Sequence, residues 1–291
     1  MSEAKWDREV DVLVVGTGNG ALTAALCNWE MGTEDVLIIE KTDKVGGTSA
    51  TSGGGIWIPV NHYAKACGAD DSAEDAKKYL MGTLFGEDVP EEMIDTYIEQ
   101  SPKMLKFLAD RTDVIYESLE HYPDYYTNYD GAKSGHRSLE PKPIAMSELG
   151  DDWKNVRWTH HMMRMFSRIH FTQVEAHTIM TQAPGWKSLL AKMILGYVTD
   201  ISWRFRTAID RRLCTGSAGI ARLYLSVKKR GIPLLFNSRM TSLIEDGGRV
   251  TGVIVQQGGK TLRIGARKGV VLGAGGFEKN QALREQYLPA P

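Results

Sequence analysis

The chain is poor in the features that mark several protein classes. It carries three cysteines, Cys27, Cys67 and Cys214, widely separated and without a CxxC pair. An odd, scattered set of this kind reads as reduced thiols and excludes a disulfide framework or a thiolate zinc site. Net charge is nearly absent, with 35 Lys plus Arg against 36 Asp plus Glu. That balance excludes a strongly basic nucleic-acid binder and a disordered acidic tail. No run approaches the roughly 20 continuous apolar residues of a membrane-spanning helix. The longest uncharged stretch, residues 45–64, is full of glycine. Met1 to Val10 lacks the basic start, apolar run and small-residue cleavage site of a secretory signal, so the expected compartment is the cytoplasm. The adjacent His160 and His161 face different ways on a helix and have no third ligand at metal spacing, so no metal site is expected. Hydrolase signatures of the GxSxG type are absent.

What is present is a globular composition, 42% apolar and 24% charged over 291 residues, enough for about two domains. Val10 to Val15 reads as a buried strand, Ala21 to Met31 as a helix with Asn19 as its cap, and Val36 to Ile39 as a second buried strand. This β-α-β unit has the size of a nucleotide-binding half-fold. From Asp71 to Arg212 the texture is helical. Ser72 with Asp75 marks one helix start, and Pro90 opens another in its first turn, with Met93, Ile94, Tyr97 and Ile98 on one face. Residues 116–150, polar and tyrosine-rich, read as a long loop, and Val156 to Arg212 as a helical block broken near Pro184–Gly185. Ala218 to Arg230 reads as a helix. Strands follow at Pro233 to Phe236, Met240 to Ile244, Val250 to Gln256, Leu262 to Ala266 and Gly269 to Leu272, with turns at Gly247–Gly248 and Gly258–Gly259. The expected fold is α/β: a discontinuous sheet domain from residues 1–70 and 213–291, with a parallel centre and a small antiparallel element, and a mainly helical insertion over 71–212.

Four glycine-rich blocks carry the chemistry. Gly16-Thr-Gly18-Asn-Gly20-Ala21 directly follows a strand and opens a helix. Gly16 permits the tight turn, Gly18 lets backbone approach a pyrophosphate, and Ala21 allows close helix–strand packing. Alone this is a weak signal, since a tight turn without a ligand looks similar. Glu40 ends the second strand, 24 residues after Gly16, where an acid meets unphosphorylated ribose hydroxyls, favouring FAD or NAD over NADP. Lys41 to Pro59, KTDKVGGTSATSGGGIWIP, has the small residues expected where backbone lies close against something flat, which favours FAD. The fourth block, Gly269 to Glu278, is a buried strand entering a glycine turn.

In this order the blocks resemble the 3-ketosteroid dehydrogenases, a branch of the fumarate reductase and succinate dehydrogenase flavoprotein superfamily. The likeness runs through GGTSATSGGGIWIP (46–59), YPDYYTN (122–128), HRSLEPKP (136–143), SWRFRTAIDRRL (202–213), RVTGVIV (249–255) and GVVLGAGGFEKNQALREQYL (269–288). The resemblance implies a Rossmann-like FAD-binding domain. FAD contacts would come from Gly16, Gly18, Asn19, Gly20, Ala21, Glu40, Lys41, Gly46, Gly47, Thr48, Ser49, Ser52, Gly53, Gly54, Gly55, Met240, Ala274, Gly275 and Gly276. It also implies desaturation of a 3-ketosteroid at C1–C2, with electrons passed to an external acceptor. Five of the eleven tyrosines lie between Tyr116 and Tyr129. By motif, Tyr126 corresponds to the family tyrosine that lines the site and assists the base, while Tyr122, Tyr125 and Tyr129 read as packing residues. The family's proton-abstracting tyrosine, its ketone-binding tyrosine and glycine, and most of its substrate domain lie beyond Pro291. The chain is therefore expected to be about half of the usual protein, a fragment or one part of a split enzyme completed by a partner chain. By itself it is expected to bind FAD weakly and not turn over.

Two other readings stay open. One is a fumarate-type reductase, marked by a site arginine as proton donor; the other is a non-catalytic FAD-binding module. Trp203-Arg-Phe-Arg206 with Arg211 and Arg212 reads as a helix against the core with a salt-bridged rim, a weak membrane-surface contact through 186–203 being the alternative. Covalently flavinylated relatives carry a histidine in the first glycine-rich loop; here that stretch is Thr48-Ser49-Ala50-Thr51, so FAD is expected to be noncovalent. Acid precipitation of the chain loaded with saturating FAD should leave all flavin absorbance in the supernatant, and a yellow pellet would refute this.

Overall fold

The structure, a computed structural model, describes residues 5–289. Contact density divides the chain into two compact units, Met1–Thr48 with Val227–Pro291, and Ser49–Ser226.

The first unit is built on a six-stranded sheet in the order Leu234–Leu235, Val36–Ile39, Arg8–Val15, Lys260–Leu272, Arg249–Gln257 and Ser238–Asp246. Pairing is parallel from Leu234–Leu235 across to Lys260–Leu272 and antiparallel beyond it, the expected α/β sheet with an antiparallel margin. Val36 to Ile39 is buried throughout, as a parallel strand covered on both faces requires. Val10, Leu13, Val15, Leu37 and Ile39 share one core cluster with Val253, Val255 and Ile264, so both ends of the chain fill the same interior. The antiparallel hairpins turn through Gly247–Gly248 and Gly258–Gly259, where all four φ values are positive, the geometry of type I′ turns. The last two strands expected from sequence are one continuous strand, Lys260–Leu272. Its first part pairs with the hairpin, while residues from Ile264 onward follow Arg8–Val15.

Helix Asn19–Glu30 buries Ala21, Leu22, Ala25 and Leu26. Asn19 is not its cap. Gly18 holds that position with extended φ/ψ and brings no side-chain capping bond, so Asn19 is the first helical residue.

The second unit is mixed. Ser72 Oγ accepts the Asp75 N–H and caps helix Ala73–Gly82 as expected, and Pro90 precedes helix Glu91–Arg111 as its cap residue. That helix buries Ile94, Ile98, Leu105 and Leu108. Met93 is exposed and Tyr97 only partly covered, because the buried stripe at i, i+4 and i+11 is narrower than the four-residue face anticipated. Residues 116–150 are not a simple loop. Tyr116–Ser118 and Ile56–Trp57 flank Ser138–Pro141 in an antiparallel sheet, Ile144–Ala145 pairs with Arg212–Leu213, and a 3-10 segment follows over Met146–Asn155. Strands this short show no period, and Pro141 and Pro143 disguise them in the sequence. Nor is the start of the expected block at Val156 helical. Phe166 and Ser167 take positive φ in a tight turn bridged by Met165 and Ile169, and α-helix begins only at Gln173. No helix among the described residues is long and apolar enough to cross a membrane.

His170 is 1% exposed, and neither ring nitrogen has a hydrogen-bond partner. Burial first, then Arg164 and Arg212, pushes its imidazole from 6.5 down to about 3. Between these values the unfolded chain takes up a proton that the folded chain refuses, so stability falls as pH drops through that window, by up to about 1.4 kcal/mol per pH unit. His170→Phe should flatten this acid limb by one proton in urea-unfolding series from pH 7 to pH 4. An unchanged slope would show that His170 titrates normally.

Candidate functional site

In the first unit the glycine turn sits where the parallel strands end. Gly16 N–H donates to Ile39 O at 2.8 Å and Gly273 N–H to Val15 O at 2.8 Å, so three strand ends converge. Gly16 has φ of 103°, and a side chain there would collide with the Gly273 carbonyl. Gly273 in turn passes so close to helix Asn19–Glu30 that a Cβ on it would lie 2.6 Å from Ala21 Cβ. These glycines are required by chain-on-chain packing as much as by any ligand. Around them the cradle is open: a Cβ on Gly20, Gly47 or Gly275 would meet nothing within 4 Å. The first N–H groups of a helix have no intrahelical acceptor, and Gly18 supplies no side chain to cap them, which suits an anion such as a pyrophosphate.

Thr17 ties this turn together. Its buried hydroxyl donates to Glu40 Oε2 at 2.5 Å and accepts the Gly46 N–H at 3.1 Å. Glu40 Oε1 accepts from the Thr42 N–H at 3.0 Å and the Thr42 hydroxyl at 3.1 Å. A carboxylate offers about four acceptor sites, so Glu40 is oriented by the protein and still keeps capacity for a ribose hydroxyl. Sequence reasoning found Glu40 and Gly46 but missed Thr17 and Thr42. Thr17 lies between motif glycines, at a position where spacing carries no information. Lys41, Gly47, Ala274, Gly275 and Gly276 are exposed, and Gly47 and Thr48 begin the short helix Gly47–Thr51. Met240 is half-buried with its side chain against the core cluster.

In the second unit the small-residue loop is pinned to the start of helix Thr215–Lys229. Ser52 Oγ donates to Ser49 O at 2.8 Å and accepts the Gly54 N–H at 3.1 Å, while Gly216 N–H donates to Ser52 O at 3.2 Å. Gly54, at φ of 72°, lies against the backbone of Thr215 and Gly216. The close surface at that glycine is the chain itself, where sequence reading anticipated a flat ligand. Gly53 O accepts from Gln173 Nε2 at 3.2 Å, and a Cβ on Gly55 would also approach that amide. Gln173 and Gly216, distant in sequence, gave no signal.

Ile56, Trp57 and Ile58 follow this loop, and Trp57 Nε1 donates to Asp124 Oδ1 at 2.6 Å, linking it to the tyrosine segment. Tyr126 is 43% exposed and makes edge contacts with Phe85 at 5.2 Å and Tyr129 at 5.6 Å. Its N–H reaches the hydroxyl of buried Tyr79 at 3.3 Å. Burial, with Tyr63 nearby, pushes the Tyr116 hydroxyl up to about 12, and a hydrogen bond with Tyr125 raises that of Tyr122. Neither shift favours base chemistry. Trp203 is buried, and Arg211 forms a two-point ion pair with Asp200 at 2.9 and 2.6 Å.

A parallel sheet whose strand ends present a glycine turn, a helix N-terminus and an oriented acid defines a dinucleotide-binding protein of the Rossmann type. Residues 11–291 match the FAD binding domain family, and the chain belongs to it; the dinucleotide is FAD. The chain is 36% identical, over 98% of its length, to the 3-oxosteroid 1-dehydrogenase of Comamonas testosteroni, covering 50% of that protein. It is 33% identical over 96% of its length to the 4-oxocyclohexanecarboxylate 2-dehydrogenase of Sinomonas cyclohexanicum, covering 45% of it. The crystal structure of 3-ketosteroid delta1-dehydrogenase from Sterolibacterium denitrificans, in complex with 1,4-androstadiene-3,17-dione, superimposes with a TM-score of 0.92 at 40% identity, over 98% of this chain and 51% of that one. The chain thus spans about half the length of these relatives.

Thr17→Val should weaken FAD binding about tenfold, since it leaves the Gly46 N–H without its acceptor and Glu40 Oε2 without its donor, at about 1–3 kcal/mol. Thr17→Ser should restore it. Flavin-fluorescence titration reads both, and equal affinities for all three would remove Thr17 from the cradle.

Proposed function

We propose that the chain is the FAD-binding half of a flavoenzyme that introduces the C1–C2 double bond of a 3-ketosteroid. The half-exposed Tyr126, held by its backbone on a loop with buried anchors, is the observation that carries this reading. The relatives' names and the share of their length matched here support it.

The chemistry follows from the ketone. The C2–H bond lies next to the carbonyl, so its hydrogen leaves as a proton to a base, and the C1 hydrogen leaves with its electron pair as the new bond forms. Bound FAD supplies the hydride acceptor, and an external oxidant later removes the two electrons. This chain's part is to hold and orient. In this reading the N-terminus of Asn19–Glu30 would hold the pyrophosphate and Glu40 the ribose, with further FAD contacts from Lys41, Gly46, Gly47, Thr48, Ser49, Ser52, Gly53, Gly54, Gly55, Met240, Ala274, Gly275 and Gly276. FAD is held without a covalent bond. Tyr126 assists a base supplied by the C-terminal portion, which belongs to a longer chain or to a partner chain. The sheet domain of this reading comprises residues 1–70 and 213–291, with 71–212 as the insertion. The protein works in the cytoplasm. A weak contact with a lipid surface, from which a sterol is drawn, is supported by exposed Leu195, Val198, Ile201 and Phe205.

With the C-terminal portion supplied, dye-linked oxidation of 4-androstene-3,17-dione should fall about a hundredfold or more in Tyr126→Phe, at unchanged flavin content. Unaltered turnover would take Tyr126 out of the reaction. Oxidation of 4-oxocyclohexanecarboxylate in place of the steroid would move the substrate class to single-ring ketones.

A further inference from the structure

Tyr126 owes little of its placement to burial, because its ring has only edge contacts and stands half in solvent. What fixes it lies beneath the loop. Arg137 is 1% exposed and reaches two buried carboxylates at once. Its Nη2 donates to Asp71 Oδ1 at 2.7 Å, its Nε reaches the same carboxylate at 3.1 Å, and its Nη1 donates to Asp124 Oδ2 at 2.9 Å. The triad carries one excess negative charge, and neutral donors spread it: the N–H groups of Val60 and Ser72 on Asp71, and Trp57 Nε1 and the Lys133 N–H on Asp124. The guanidinium also stacks near Trp57 and Tyr79, 5.5 and 5.8 Å from their ring centres.

We infer that the Asp71–Arg137–Asp124 triad is a positioning device for Tyr126, an assignment that rests on the proposed role of that tyrosine. Two routes run from one guanidinium to the tyrosine segment. The first passes through the Asp124 carboxylate, two residues before Tyr126, and closes the loop on itself by bonds exchanged between Asp124 and Lys133. The second passes through the Tyr79 ring, whose hydroxyl takes the Tyr126 N–H. Buried ion pairs add little net stability, since the cost of removing charge from water offsets most of their attraction. Their strength is direction, and a planar guanidinium that serves two carboxylates fixes angles a lysine cannot reproduce.

The test uses the 291-residue chain labelled with 3-fluorotyrosine, with resonances assigned through Tyr126→Phe and Tyr197→Phe. The Tyr126 signal of the unmodified chain should be single and narrow. In Arg137→Lys and Asp124→Asn it should split or at least double in width, while Tyr197, on the helix Trp186–Thr199, stays unchanged. With the C-terminal portion supplied, Arg137→Lys should lower kcat at least tenfold with KM for the steroid within twofold. A lowered unfolding midpoint with an undisturbed Tyr126 signal would overturn the inference and leave the triad as a plain structural network. Arg137→Lys keeps the charge and is the milder variant should Asp124→Asn not fold. If Tyr126→Phe retains full turnover, while in chains that keep Tyr126 its signal still responds to Arg137→Lys, the catalytic reading of Tyr126 fails and the positioning device stands.

Discussion

The parallel pairing of Arg8–Val15 with Lys260–Leu272 is the constraint on which the cofactor cradle depends. It joins segments about 250 residues apart in sequence and brings Gly273 against the turn at Gly16. Without it the first β-α-β unit would have one open edge, and the glycine turn would lack the backbone that shapes its far side. Such a contact is slow to find and costly in loop entropy, so it must be repaid by apolar burial. The shared cluster of Val10, Leu13, Val253 and Ile264 supplies that burial.

Glycines in this chain serve two distinct physical ends. At Gly16 and Gly54 the neighbour is another stretch of the same backbone, and a methyl group would force the chain apart. At Gly20, Gly47 and Gly275 the adjoining space is open. The two kinds look alike as letters. The first is demanded by a neighbouring backbone, whereas at Gly47 and Gly275 the demand is the positive φ of the chain itself.

Polar groups follow a similar division. In the cradle, Glu40 is oriented by the hydroxyls of Thr17 and Thr42 without losing all of its accepting capacity. Beneath the tyrosine loop, by contrast, the carboxylates of Asp71 and Asp124 are occupied by Arg137 and neutral donors. An acid held by neutral donors alone suits ligand recognition, and one paired with a buried guanidinium suits scaffolding.

Much of the sheet domain was legible in the sequence because its signals are local. The apolar run at Val36–Ile39, the step from strand to glycine turn to helix, the spacing to Glu40 and the paired glycines of the hairpins each operate within a few tens of residues. The strands at Tyr116–Ser118 and Ser138–Pro141 were not legible, since segments so short have no period to read and exist only by pairing. Thr17 as a bridge, Gly216 as the wall behind Gly54, and Arg137 between Asp71 and Asp124 were equally hidden. The sequence by itself determined which segments are strand, turn and helix around the cofactor, because steric preference and apolar period act along the chain. The tertiary structure decided which side chains orient the acid and the tyrosine, because a hydrogen bond between residues far apart depends on where the backbone has already been placed.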